Sequence, residues 1–466
     1  MSNPVFRGWP SVSDLMESPP LRALAARVQP QQLAADVGRL LNKVRAEVHA
    51  ATADAPAPAD LAARVAHWIA AHDTPADRAA INATGAVFLK DSGGPPLSDR
   101  AAARLAAAAR QASGVSAAES HAASLAAKLA GAESAAVFSN VAGGLATALA
   151  ALATAGSVIV ARGQVLDIDG VPLPELAHCA HTTLCEVGAA NHATATQFEM
   201  AATGPRAAEQ RAKMLLGVAP TTCRSPTQHA FPSWRELADV AHRHQTPLVV
   251  DLGMGGLTTT TAIAGLEGVM SAAEAIKAGV DLCFVRGDKL LGGPACGIAV
   301  GNARLIERME THPLRAAWRL DRLCRSGLVA MLEAAFEASR ESGENGGQEL
   351  DADPPALRLL RATHENLRNR AERLAPQLAA APIIGSAEAR VSQAPLVELH
   401  DGWEIPSWSV FLQPRSGTAA ALLQRLANAT PALVGRLAGD HVELNLRSVP
   451  PSQDVDLVEA IEQLAP

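Results

Sequence analysis

Residues 282–301 read LCFVRGDKLLGGPACGIAVG: an apolar run, Leu282 to Val285, a loop carrying Lys289 and the pair Gly292-Gly293, and a second apolar run. The pattern predicts strand, lysine loop, strand. An amine held at the rim of a sheet is partly desolvated, which suits it to attack carbonyls. The glycines let a flat ligand approach the backbone closely. A Gly-rich hairpin with a solvated lysine has the same local pattern, so the reading turns on what the rest of the chain places beside it.

Outward from this stretch, from about residue 77, apolar segments alternate with alanine-rich helical ones: AAVF (135–138), SVIVA (157–161), TTLCEV (182–187), PLVVDLG (247–253), DLCFVRG (281–287) and GIAVG (297–301). Continuous apolar strands separated by helices indicate an α/β class with a parallel sheet buried on both faces. Such sheets bind ligands at the carboxyl ends of their strands. Asp251 closes one strand and is followed by glycines; its alternatives are a helix N-cap or a structural ion pair. Ser139-Asn140-Val141-Ala142-Gly143-Gly144 lies between AAVF and an alanine-rich helix. A helix entered through small residues offers free N–H groups and the positive end of its dipole to a phosphate, with a bare capping turn as the alternative. A phosphate cup, a carboxylate for a ring nitrogen and a lysine that forms a Schiff base with an aldehyde are the parts pyridoxal 5'-phosphate requires. They occur in the chain order of an aspartate-aminotransferase-type fold.

The 466 residues are 48% hydrophobic, enough for a large core and, by length, about three domains. Leu33, Val37, Leu40, Leu41, Val44 and Val48 recur at helical spacing, and ADAPAP (53–58) breaks the pattern before a further helix near 61–71. These patterns divide the chain into a helical N-terminal domain over 1–76, a cofactor-binding α/β domain over 77–330 and an α+β C-terminal domain over 331–466. In the last, SGENGGQELDADPP (342–355) reads as a linker, residues 357–380 as one long amphipathic helix, and VELH, SWSVFL and HVELNLRS as strand-like pieces.

The formal net charge of −7 argues against a surface that clings to nucleic acid throughout. No stretch reaches the ~18 apolar residues of a membrane span and no signal peptide pattern opens the chain, so the expected location is the cytoplasm, with no membrane partner. The six cysteines show no CxxC pair, which leaves no indicated metal site and makes buried free thiols the expectation. Tyrosine is absent, so no phenol serves as acid, base or stacking ring.

INATG (81–85), PPLS (95–98), SHAASLAAKLAGAESAAVFSN (120–140), ARGQVLDIDG (161–170), VGAAN (187–191), DLGMGGL (251–257), GDKLLGGPACGIAVG (287–301), HPLRAAWRLDR (312–322) and VGRLAGDHVELNLRSV (434–449) resemble the successive signatures of bacterial L-seryl-tRNA(Sec) selenium transferases, the selenocysteine synthases. The resemblance runs from near residue 10 to the C-terminus. It implies a pyridoxal-phosphate-dependent type I fold, homo-oligomers built from dimers, a tRNA partner, and conversion of seryl-tRNA(Sec) to selenocysteinyl-tRNA(Sec) through an aminoacrylyl intermediate. It further implies Lys289 as the Schiff-base lysine, Asp251 as partner of the ring nitrogen, and Ser139, Asn140, Val141 and His121 in the cofactor pocket. A satisfied buried histidine is the alternative for His121.

The chain departs from the family where substrate binds. Its LKDSGGPPLS (89–98) has Gly94 where HTNLGRAPLS has an arginine of the anion-binding group for the selenium donor. The family's RALRxDK reads RAAWRLDR (315–322), keeping Arg319 and shifting the other arginine to Arg315; one helical position rotates a side chain by about 100°. Both are candidates for a substrate anion. FSGDK has become VRGDK, which sets Arg286 beside the lysine as a ligand for the cofactor phosphate or a substrate carboxylate, a surface ion pair being its alternative. The first 72 residues hold seven Lys/Arg against six Asp/Glu, a weak footprint for tRNA phosphates. The reading is therefore a divergent family member that keeps its cofactor. A pyridoxal-phosphate-dependent lyase or aldolase acting on a small amino acid or amino sugar acid is the second reading, and a non-catalytic RNA-binding or scaffold relative the third.

Overall fold

The computed structural model describes residues 10–19, 21–22, 33–34, 37–42, 44, 60–62, 65, 79–89, 94–111, 118–203, 212–220, 230–258, 263, 265–345, 354–397 and 404–464. Contacts divide the chain into two units, Met1–Ala80 and Ile81–Pro466.

In the first unit, Ser11 and Asp14 form a capping box at the start of a helix, Val12–Met16. Leu33, Val37, Leu40, Leu41 and Val44, the face expected from their spacing, share one buried cluster with Leu15 and Leu61. Val48 and ADAPAP lie outside the described residues.

The second unit is built on a seven-stranded sheet. Its strands are β1 (Ser134–Phe138), β2 (Ser157–Ala161), then, beyond a small hairpin of β3 (Asp167–Ile168) and β4 (Val171–Pro172), β5 (Thr183–Val187), β6 (Ala212–Val218), β7 (Leu248–Asp251), β8 (Leu282–Arg286) and β9 (Gly297–Gly301). Their order across the sheet is β1-β9-β8-β7-β6-β2-β5. Successive residues face opposite sides: Val137, Ile159, Leu215, Val250, Val285 and Ile298 enter one core, and Phe138, Val158, Val160, Leu216, Phe284 and Ala299 the other.

The expectation of an all-parallel sheet is corrected at β9, which is antiparallel to both β8 and β1. The lysine loop is the reason. A connection of ten residues, 287–296, has no crossover helix, so the chain returns antiparallel. Antiparallel on both sides, β9 leaves β1 and β8 running in one direction. β6 also enters the sheet although Gly217 interrupts its apolar run. A Cβ there would stand 2.3 Å from the Trp234 ring, so the glycine makes room for that side chain.

Helix α4 (Arg322–Asn345) packs against both α1 (Asp99–Arg110) and α2 (Ala118–Ala130), and α3 (Val141–Ala153) lies against β9, β8 and β6. α4 runs continuously through position 330, with Leu328 to Leu332 in the sheet's core.

The stretch 357–380 is two helices rather than one, α5 (Pro355–Arg361) and α6 (His364–Ala379), because Thr363 leaves the helical conformation and caps α6 through Asn366 N–H. A four-stranded antiparallel sheet follows: β10 (Ile384–Pro395), β11 (Glu404–Pro414), β12 (Arg436–Ala438) and β13 (His441–Asn445), in the order β10-β11-β13-β12. A strand over 384–395 precedes SWSVFL; of VELH, residues 398–400 lie outside the described ones. Ile81 and Ala83 join the core of this sheet with Leu367, Leu374 and Val410.

Cys283 and Cys296 are buried thiols, pushed well above the ordinary range by burial, but Cys179 is exposed, against the expectation of uniform burial, and Cys223 lies outside the described residues. No helix among the described residues is long and apolar enough to cross a membrane.

Candidate active site

β1, β7 and β8 run in one direction, so the chain leaves all three strands at one rim of the sheet. Asp251 is the last residue of β7, 0% exposed and in register with Phe284. It caps no helix. Its Oδ1 accepts the N–H of Gly253 at 3.0 Å in a tight turn.

Arg286 ends β8. A surface ion pair is overturned, since the side chain is 3% exposed. Its guanidinium forks onto Asp251, Nη1 to Oδ1 at 2.7 Å and Nη2 to Oδ2 at 3.1 Å, while Nε donates to Asp169 Oδ1 at 2.7 Å. Burial works against its charge, but the two carboxylates outweigh burial and raise its pKa, so it is a permanent buried cation.

Lys289 lies three residues past β8, in a turn closed by Gly292 N–H to Lys289 O at 2.9 Å and Gly293 N–H to Gly287 O at 2.8 Å. Its Nζ stands 2.9 Å from Asp288 Oδ2 and 5.4 Å from the Phe88 ring centre, with the side chain 15% exposed. The partial desolvation expected of a rim lysine is present, and a buried aromatic ring supplies part of it.

α3 begins where the phosphate cup was expected. Asn140 is the N-cap, its Oδ1 accepting from Gly143 N–H at 2.7 Å, and Ser139 N–H donates to Trp318 O at 2.9 Å. The N–H groups of Val141 and Ala142, in the first turn of α3, both donate to Asp169 Oδ2, at 2.7 and 3.1 Å. Asp169 sits in the turn of the β3–β4 hairpin at φ +50°, followed by Gly170 at φ +88°. Its Asp-Gly dipeptide announces a tight turn. No local signal announces that its carboxylate reaches a helix 28 residues earlier and an arginine 117 residues later.

Gly297 lets the parts meet. It pairs with both Arg286 and Phe138, and a Cβ there would lie 2.5 Å from Asn140 O and 2.7 Å from Val141 N. Those are backbone atoms, which cannot rotate away. Gly297→Ala is therefore expected to push the start of α3 off the sheet and cost about 1–3 kcal/mol by overpacking, measured by urea unfolding.

The other candidates lie elsewhere. His121 is not buried: its side chain is 50% exposed and Nε2 stands 3.3 Å from Glu333 Oε1. Arg315 is buried over the Phe138 ring at 4.8 Å, bonded through Nε to Glu310 at 2.7 Å and through Nη2 to Glu119, with Nη1 unpartnered. Arg319 is exposed and its backbone bridges Phe138. Gly94, at φ +79°, has an ideal Cβ position 4.0 Å from the Cβ of Asp288, which sets the missing family arginine beside the lysine loop. Sequence reasoning missed Asp169, Phe88 and Asp288.

The donor set suits pyridoxal phosphate in charge and kind. The N–H groups of α3 already hold an anion, the Asp169 carboxylate, and Asp251 already holds a flat cation, the Arg286 guanidinium. The cofactor's phosphate and protonated ring nitrogen ask for these two seats, with a nearby amine for its aldehyde.

A family model described as "SelA: L-seryl-tRNA selenium transferase" matches residues 80–450. The L-seryl-tRNA(Sec) selenium transferase of Moorella thermoacetica is 32% identical over 99% of this chain and 97% of its own. That of Hyphomonas neptunium is 29% identical over 99% of both. Among solved structures, a D-glucosaminate-6-phosphate ammonia-lyase superposes with a TM-score of 0.59 at 20% identity, covering 84% of this chain and 97% of that one, a likeness of fold. That fold is the type I, aspartate-aminotransferase-like one expected from the sequence. The chain belongs to the L-seryl-tRNA selenium transferase family of pyridoxal-phosphate-dependent enzymes.

Proposed function

We propose that this protein transfers selenium to a seryl group carried on tRNA(Sec), using pyridoxal phosphate held at the rim formed by β1, β7 and β8. The observation that carries the reading is the bridge Asp251–Arg286–Asp169, which joins the end of β7 to the start of α3 with Lys289 three residues beyond Arg286, in a chain alignable over 99% of its length with selenium transferases. When bound, pyridoxal phosphate supplies an aldehyde and an electron-withdrawing ring that spreads charge developing at an amino acid's α-carbon.

The chain's own groups have separable tasks. Lys289 would hold the cofactor through Nζ, and Asp288 Oδ2, at 2.9 Å, fixes the position of that amine. Asp251, sealed from water, favours a protonated ring nitrogen. The N–H groups of Val141 and Ala142 take the phosphate. Arg315, with a buried Nη1 lacking a partner, and Arg319 are the remaining candidates for a substrate anion. Homo-oligomers built from dimers, a cytoplasmic location and the three-domain division at 76/77 and 330/331 belong to the same proposal.

Gly94 favours a second reading, because the place beside Asp288 where the family carries a donor-binding arginine has no side chain. That reading is a lyase or aldolase acting on a small amino acid or amino sugar acid. Incubation with radiolabelled seryl-tRNA(Sec) and selenophosphate is expected to yield selenocysteinyl-tRNA. If seryl-tRNA comes back unchanged while free amino acids or amino sugar acids are consumed, the lyase reading replaces the first.

A further inference from the structure

Both seats of the cofactor pocket are filled by the protein's own side chains, and the two occupants are bonded to each other. Asp169 reaches the α3 N–H groups with Oδ2 and Arg286 Nε with Oδ1; Arg286 continues through Nη1 and Nη2 to Asp251. The carboxylate stands where a phosphate binds a helix start, and the flat guanidinium stands where a protonated ring nitrogen meets a carboxylate. Arg286 takes the place of the serine in the FSGDK signature, so one end of this bridge is a departure from the family pattern. Resting on the reading of Lys289 and Asp251 above, we propose that Asp169 and Arg286 form a built-in competitor for pyridoxal phosphate: the cofactor's phosphate enters by displacing the Asp169 carboxylate, and Arg286 is handed from Asp251 to that phosphate.

Geometry makes the exchange self-consistent. One carboxylate spans the gap between Arg286 Nε and the N–H groups of Val141 and Ala142, so any anion seated there touches all three donors. Removing Asp169 without an incoming anion would leave the N–H groups of Val141 and Ala142 without their acceptor. Removing Arg286 from Asp251 without an incoming cation would leave a fully buried carboxylate uncompensated. Each end therefore opens only as its replacement arrives. Asp169 is the more accessible end, with its side chain 22% exposed in a two-strand hairpin, whereas Asp251 is 0% exposed inside the sheet.

The test is equilibrium titration of cofactor-free protein with pyridoxal phosphate, read by tryptophan fluorescence, for wild type and Asp169→Asn. The amide keeps the shape and removes the competing charge. Asp169→Asn is expected to bind pyridoxal phosphate at least tenfold more tightly, and pyridoxal, which lacks the phosphate, no more tightly than wild type does. If wild type binds and the variant binds equally or more weakly, or gains equally for pyridoxal, the competitor is refuted while the cofactor assignment stands. If neither protein binds, the functional reading falls and takes this inference with it. Hydrogen exchange on the unmodified protein gives a check independent of the variant's folding. Added pyridoxal phosphate should speed exchange in the hairpin 167–172 while Val141 and Ala142 stay protected, and slower exchange in that hairpin would overturn the proposal.

Discussion

Lys289→Ala is expected to lower turnover by at least about 100- to 10,000-fold, the range lost with a single positioned proton-transfer group, and to abolish covalent retention of the cofactor. The reason is local. Lys289 is the residue that the tight turn after β8 carries to the sheet rim, and Asp288 Oδ2 at 2.9 Å holds its amine there. The fold should survive the change. What is lost is one ion pair with 15% and 24% exposed side chains and one cation–π contact with Phe88; together these are worth about 1 kcal/mol. Steady-state kinetics beside urea unfolding separate the two effects. A variant that loses stability and activity in parallel would count against a catalytic lysine.

Arg286→Ala is expected to act in the opposite way, as a defect of stability first. Asp251 is fully buried, and without the fork from Arg286 its remaining hydrogen bond is the one from Gly253 N–H. Breaking a buried ion pair from one side costs about 3–5 kcal/mol, because the partner is left as an uncompensated charge. The denaturation midpoint should fall with an unchanged slope. Adding Asp251→Asn to Arg286→Ala should recover part of the loss, since the stranded charge is then gone. A double variant no more stable than the single one would show that packing, not charge, is what Arg286 contributes.

These two residues also mark how far the sequence could be read. Lys289 was legible from its own surroundings, an apolar run before it and two glycines after it. Asp251 was legible as a polar residue closing a buried strand, and the start of α3 as a chain of small residues after β1. Each signal lies within a few positions of the residue concerned. The partners of Arg286 were not legible, because Asp169 and Asp251 lie 117 and 35 positions away and only the strand order brings them together. The direction of β9 was misread for a related reason: an apolar strand has the same composition in a parallel or an antiparallel sheet, and the short connection decides. β10 escaped notice because most of its twelve residues are partly or fully exposed, which removes the alternation that marks a half-buried strand. His121 was read in the context of a signature, yet α2 turns it outward to Glu333.

Borohydride reduction of the purified protein after incubation with pyridoxal phosphate, with peptide mass mapping of the product, tests the assignment of the cofactor site most directly. A pyridoxyl adduct is predicted on the peptide containing Lys289, and none on that peptide in Lys289→Ala. An unmodified Lys289 peptide, or an adduct confined to another lysine of the chain, would contradict the assignment.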